Sequence, residues 1–241
     1  MYGWRMRIGL LVPATNGVAE QEYRRLADHV DGVAVFAARV PCPPGRISKQ
    51  WERDYGDGCL GAAERILSVE PDVIVIANTS GTLMNADRKL AEQVHKATGV
   101  KTIATIQAVV DSLKRLHVRR LGLVTPYNDE FNQEFLRYFA AARFKVVDLQ
   151  TQNESDILSI GRLRPEVAYS LARRLSGKFD GIFISCTDFR SIEAIPLLER
   201  DMHVPVISSN LASFSEALLA GGIRASLQGW GRLLERPWES D

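Results

Sequence analysis

The feature that most constrains this chain is an internal repeat. Segment 7–16, RIGLLVPATN, is echoed by segment 120–129, RLGLVTPYND. Segment 72–78, DVIVIAN, is matched by 180–186, DGIFISC, and segment 100–108, VKTIATIQA, by 204–212, VPVISSNLA. Three correspondences in one order mean that each half of the chain is a copy of the same supersecondary unit. The boundary falls near His117.

The repeated pieces are short, continuous apolar runs closed by polar elbows, the pattern of strands buried on both faces of a parallel sheet. Strands are expected at 8–12, 33–40, 73–77 and 101–105, and again at 121–125, 145–150, 181–185 and 204–208. Between them lie helical patterns. One is capped by Thr15 or Asn16 and runs to about His29; the others cover Gly58 to Val69, Asp87 to Thr98, Gln107 to Leu116, Asn128 to Ala142, Pro165 to Leu175, Ser191 to Arg200 and Asn210 to Ala220. Strand and helix in alternation give an α/β fold with right-handed crossovers. The expectation is two pseudo-twofold-related halves, each a four-stranded parallel sheet flanked by helices, with the site in the cleft between them. Residues 1–117 form the first half and 118–210 the second, with 211–241 packing back on the first. The rigid loop 41–46, PCPPGR, cannot hold regular structure and could cover a site.

Composition narrows the function classes. The chain has 241 residues, 46% hydrophobic and 24% charged, enough to bury a core without staples. Thirty basic residues against twenty-nine acidic ones leave +1, so no whole-chain field points to nucleic acid or to a membrane surface. No apolar run approaches the roughly 18 residues of a membrane span, and the run after Arg7 is cut by Pro13, too short for a signal peptide. Three cysteines, Cys42, Cys59 and Cys186, show no paired spacing, which suits a cytoplasmic setting.

Several motifs are better read as structure. Gly56, Gly58 and Gly61 spell GxGxxG, but Lys49 to Tyr55 before them is no strand, so the match to a dinucleotide fingerprint is fortuitous. The four histidines, His29, His95, His117 and His203, lack ligand spacing, and no metal and no cofactor are expected. Cys59 and Cys42 read as small apolar fillers.

Cys186 is different. A lone thiol is often a buried filler, but this one ends a strand and stands ahead of a helical pattern, where helix-terminal amides would tune it toward thiolate. Its counterpart elbow, Asn78-Thr79-Ser80-Gly81, is built from hydrogen-bond donors. In a parallel sheet ligands bind beyond the carboxyl ends of the strands, so both elbows would face one cleft. Tyr127, Asn16, Thr187 and Asn210 lie at equivalent strand ends, as caps or as donors to a carboxylate.

Together, Val12 to Asn16 with Glu20, Asn78 to Gly81, Thr125 to Tyr127, Ser185 to Thr187 and Pro205 to Asn210 resemble the aspartate/glutamate racemase superfamily, in particular its branch of maleate cis-trans isomerases and arylmalonate decarboxylases. The resemblance implies cofactor-free chemistry on a small mono- or dicarboxylate, in a protein that could be a homo-oligomer. Typical members carry a cysteine on each elbow; here Asn78 holds the first position. An amide is neither base nor nucleophile near neutral pH, which argues against two-cysteine racemisation. A single cysteine on the second elbow is similar to the arylmalonate decarboxylases. There, loss of CO2 leaves an enediolate that a dioxyanion hole holds and the cysteine protonates from one side. By position the hole would be Thr79, Ser80 and Tyr127, completed by the amides of Cys186 and Thr187, with Cys186 as the acid. A maleate isomerase-like enzyme and a non-catalytic carboxylate-binding protein are the alternatives.

Overall fold

The computed structural model describes residues 2–86 and 89–235. Strand β1 (Met6–Pro13), helix α1 (Ala19–Ala27), β2 (Val33–Val40), α2 (Lys49–Ile66), β3 (Val73–Ile76), α3 (Thr79–Met84), α4 (Leu90–Thr98), β4 (Lys101–Ala104) and α5 (Thr105–Arg115) form the first half. The second repeats the scheme with β5 (Arg120–Tyr127), α6 (Asp129–Ala141), β6 (Lys145–Glu154), α7 (Ile157–Gly161), α8 (Pro165–Arg174), β7 (Gly181–Ile184), α9 (Ile195–Met202) and β8 (Val206–Ser208). Helices α10 (Ser209–Ala220) and α11 (Arg232–Glu235) follow. Each half is a four-stranded parallel sheet, ordered β2-β1-β3-β4 and β6-β5-β7-β8. The expected α/β fold with two equivalent sheets is what the chain adopts.

The central strands show why. All four residues of β3 and all four of β7 are buried, as strands covered by helices on both faces must be. The halves are joined by α10, which packs on α5 and α1. At that seam the Tyr23 hydroxyl donates to Ser213 Oγ at 2.6 Å, and the Tyr23 ring meets Phe214 edge-on at 5.6 Å. The carboxylate of Glu22 on α1 accepts the amides of Ser191 and Ile192, stapling the first half to the turn after β7.

Three elements depart from expectation. Helix α2 begins at Lys49 rather than Gly58, because Ser48 caps it by accepting from the Trp51 amide at 3.1 Å and Trp51, Tyr55 and Cys59 continue its buried stripe. The GxGxxG glycines therefore sit inside a helix. A Cβ on Gly56 would lie 2.7 Å from the Asn85 side chain, so the glycine permits close packing rather than phosphate approach. Helix α9 begins at Ile195 rather than Ser191, since Glu22 holds the preceding amides in a turn. The polar stretch 151–164 contains the short helix α7, capped by Asp156, which accepts from the Ser159 amide. The helix expected from Asp87 is described from Leu90, its first residues lying outside the described set, as does the end of segment 211–241. Among the described residues no helix is long and apolar enough to cross a membrane.

Candidate active site

The two elbows meet. Two residues past the end of β3 stands Asn78, whose side-chain oxygen accepts from the Gly81 amide at 3.0 Å and caps α3. A Cβ on Gly81 would come within 2.5 Å of Asn78 Nδ2, so only glycine lets the amide lie flat over the turn. β7 ends at Ile184 and runs through Ser185 into Cys186, where the backbone turns through a φ of +94°. A non-glycine residue there is strained by about 1–3 kcal/mol and persists only when its surroundings hold it. They do: the Cys186 amide donates to Ser209 Oγ at 3.1 Å, and the Asp188 amide donates to Cys186 Sγ at 3.4 Å.

Bonds between the halves lock this arrangement. Asn16 Nδ2 donates to Thr187 Oγ1 at 3.1 Å, and the Thr187 hydroxyl donates to the Ala77 carbonyl at 3.0 Å. Gly17 N donates to Asp188 Oδ1 at 3.0 Å, and the Thr79 hydroxyl donates to Ser209 Oγ at 2.8 Å. Asn16 also accepts from the amides of Val18 and Ala19 in the turn before α1, but the N-cap of that helix is Val18, which has no side-chain cap bond, so the expected cap by Thr15 or Asn16 does not form there.

Six of the residues singled out from sequence line one closed cavity: Asn16, Asn78, Ser80, Tyr127, Cys186 and Thr187. Thr79 and Asn210 lie just behind them. Asn210 Nδ2 bonds to Glu22 at 2.7 Å and to the Thr187 carbonyl at 3.0 Å, so it braces the second elbow from below. Pro13, Trp51, Glu52, Ile157 and Asp188 complete the lining. The cavity measures about 10 Å³, comparable to what a single water needs. It is roofed where the proline loop meets the segment before α7, Ile47 N donating to the Ser155 carbonyl and Ile157 N to the Gly45 carbonyl, each at 3.0 Å. Trp51 Nε1 donates to the Pro43 carbonyl at 3.0 Å and holds the loop to α2.

Glu52 is the residue that sequence reasoning missed. It is 1% exposed; Oε2 accepts from Asn78 Nδ2 at 2.8 Å and Oε1 accepts from the Ser80 hydroxyl. The signal was present in the helix. Glu52 falls at helical spacing with Tyr55, Gly56 and Cys59, all buried, so a carboxyl occupies the apolar stripe of α2. Placing the helix start at Gly58 hid it.

The electrostatics are unusual for a carboxylate site. Among the described residues, no lysine, arginine or histidine lines the cavity. Burial pushes Glu52 up to about 7, against the bonds from Ser80 and Asn78. Burial likewise raises Asp188 to about 7, opposed by the Gly17 and Val18 amides and by Arg39. Burial and the neighbouring Asp188 push the Cys186 thiol up to about 12. The expected drift toward thiolate is therefore reversed. No helix starts after Cys186 before Ile195, so no helix-terminal field lowers it, and the thiol stays protonated. Tyr127 is 1% exposed with its hydroxyl unpartnered, beside Cys186 and Ser80. The Cys186 amide, expected to complete an oxyanion hole, is already taken by Ser209.

Known proteins share this architecture. The chain is 27% identical over 237 residues to the arylmalonate decarboxylase of Bordetella bronchiseptica, covering 95% of this chain and 96% of that one. It is 26% identical over 245 residues to the maleate isomerase of Nocardia farcinica, with the same coverage. A cysteine-to-serine variant of Nocardia farcinica maleate cis-trans isomerase, solved with a covalently bound succinylcysteine intermediate, superposes with a TM-score of 0.90 at 23% identity, over 95% of this chain and 98% of that one. The family model described as arylmalonate decarboxylase matches residues 59–234, and the chain belongs to that family.

Proposed function

We propose that the protein decarboxylates a malonate-type acid without a cofactor, through an enediolate that Cys186 protonates on one face. One observation carries this reading: a single thiol, held protonated, faces an elbow that offers Asn78 and Ser80 and no second sulfur. A protonated thiol is an acid ready to deliver its proton, whereas addition to a double bond requires thiolate. That supports decarboxylation over the succinylcysteine chemistry of the isomerase relative.

One carboxylate of the substrate leaves as CO2 and its bonding pair moves into the remaining carboxylate, giving the enediolate. Its two oxygens need donors, and the unpartnered Tyr127 hydroxyl is poised to give one. We assign Ser80, Thr79 and the Thr187 amide as the others. Ser80 and Thr79 now donate to Glu52 and Ser209, so substrate oxygens would have to redirect them. The departing carboxylate becomes neutral CO2 while its electron pair stays on the enediolate, so the leaving group itself needs no cation beside it. Three free thiols suit a reducing compartment such as the cytoplasm, and we read the protein as working there.

The test is incubation in D2O with malonate, methylmalonate, phenylmalonate and maleate, followed by proton NMR. Deuterated monoacid from a malonate is the expected result, with Cys186→Ala slower by about 10²–10⁴-fold. Fumarate from maleate, or undiminished turnover by Cys186→Ala, would overturn the assignment.

A further inference from the structure

Every decarboxylation of this kind consumes one proton. Once the Cys186 proton has gone to carbon, a thiolate is left in a narrow cavity with no cation among its described lining residues. The route by which it regains a proton is legible in the lining. Ser80 bonds to Glu52 on one side; on the other, the orphan Tyr127 hydroxyl lies next to both Ser80 and Cys186. The Tyr127 hydroxyl makes no hydrogen bond of full geometry, only interactions with Cys186 and Ser80, and its ring is already fixed by stacking on Phe135 at 5.3 Å.

We propose that Glu52 is the internal proton donor that reloads Cys186, through the hydroxyls of Ser80 and Tyr127. This rests on decarboxylation with Cys186 as the acid. The S–H proton passes to the enediolate carbon. The Tyr127 O–H proton then moves to the thiolate, the Ser80 O–H proton to the Tyr127 oxygen, and the Glu52 O–H proton to the Ser80 oxygen. Glu52 is left as carboxylate and takes its next proton from water when the roof opens for product release. No redox partner is needed and the charge balances at each transfer.

Two further observations support the direction. A buried carboxyl near 7 is half protonated at neutral pH and gives its proton readily to a thiolate whose conjugate acid is near 12. Asn78 clamps the other carboxyl oxygen, fixing which oxygen meets Ser80. The titratable groups around Glu52 are Tyr55 on its own helix, Tyr127 at the end of β5, and Cys186 and Asp188 on the second elbow; Arg53 and Asp57 on α2 are exposed. Asp188 is separate from the chain of hydroxyls, its Oδ1 accepting from Gly17.

The test is pre-steady-state kinetics of Glu52→Gln with phenylmalonate. The variant should show a burst of one CO2 per site and then a steady state slower by about 10²-fold, because reloading limits it. In the parent enzyme kcat should fall as pH rises through about 7, and that limb should vanish in Glu52→Gln. Without substrate, the infrared S–H band that disappears in Cys186→Ser should shift as the parent protein is titrated through the same range, and stay still in Glu52→Gln. A Glu52→Gln enzyme with no burst, an unchanged pH limb, or an S–H band that still shifts would overturn the relay. An inactive Cys186→Ala with such a Glu52→Gln enzyme would reject the relay alone; an active Cys186→Ala would reject the decarboxylase reading beneath it.

Discussion

At the scale of single residues, Cys186 and Tyr127 carry features that packing does not require. Cys186 holds a φ of +94°, a conformation that glycine adopts freely. Cys186→Gly should therefore be more stable than Cys186→Ala by about 1 kcal/mol, although both are inactive, as urea unfolding would show. Equal stabilities would mean that the elbow imposes no strain. Tyr127 is the complementary case. Removing a buried hydroxyl that makes no hydrogen bond of full geometry sacrifices little, so Tyr127→Phe should match or exceed the parent in melting temperature. Its kcat should nevertheless fall by about 10²–10³-fold if the phenol stabilises the enediolate. A destabilised Tyr127→Phe with normal kcat would make the hydroxyl structural. Cys186 was legible in sequence because its elbow has a counterpart; its protonation state was not, since that depends on burial and on Asp188, which no spacing reveals.

At the scale of elements, the strap formed by the proline loop and the segment before α7 governs access. A cavity of about 10 Å³ cannot admit a dicarboxylate, so the bonds from Ile47 to Ser155 and from Ile157 to Gly45 must part during turnover. Hydrogen exchange at the Ile47 and Ile157 amides should be faster than at β3 and β7, and slow by at least about 10-fold with saturating phenylmalonate. Protection equal to that of the central strands in the free protein would contradict an opening roof. The proline loop could be suspected as a cover from composition alone. Its partner could not, because α7 lies in a polar stretch whose only apolar signal is Ile157 to Ile160, and the pairing joins residues distant in sequence. Helix α2 hides Glu52 for a related reason: a glutamate among Trp51, Tyr55 and Cys59 stands out only once the helix is known to start at Lys49.

At the scale of the whole molecule, the repeat made both sheets readable, since parallel strands covered on both faces leave continuous apolar runs. What the halves share across their junction was not readable, because Glu22, Asn210 and Asp188 are polar residues whose partners lie in the other half. These buried carboxyls give the protein an inverted pH response. Glu22 and Glu52 rise from an ordinary 4.5 to about 7, and Asp188 from 3.8 to about 7, each chiefly by burial. Between those limits the folded chain keeps protons that the unfolded chain has released, so raising the pH favours unfolding. As far as these groups are concerned, stability should be full below about 3.8 and decline toward pH 7, by at most about 3 kcal/mol for each glutamate and about 4 kcal/mol for Asp188. Urea titrations across this range would show it. Stability rising from pH 5 to 7 would mean that the carboxyls are ionised when folded. The central claim, however, is that protonation comes from one face only. It is tested most directly by the enantiomeric composition of the monoacid formed from α-methyl-α-phenylmalonate. The account predicts one enantiomer, lost together with activity in Cys186→Ala; a racemic product from the parent enzyme would contradict it.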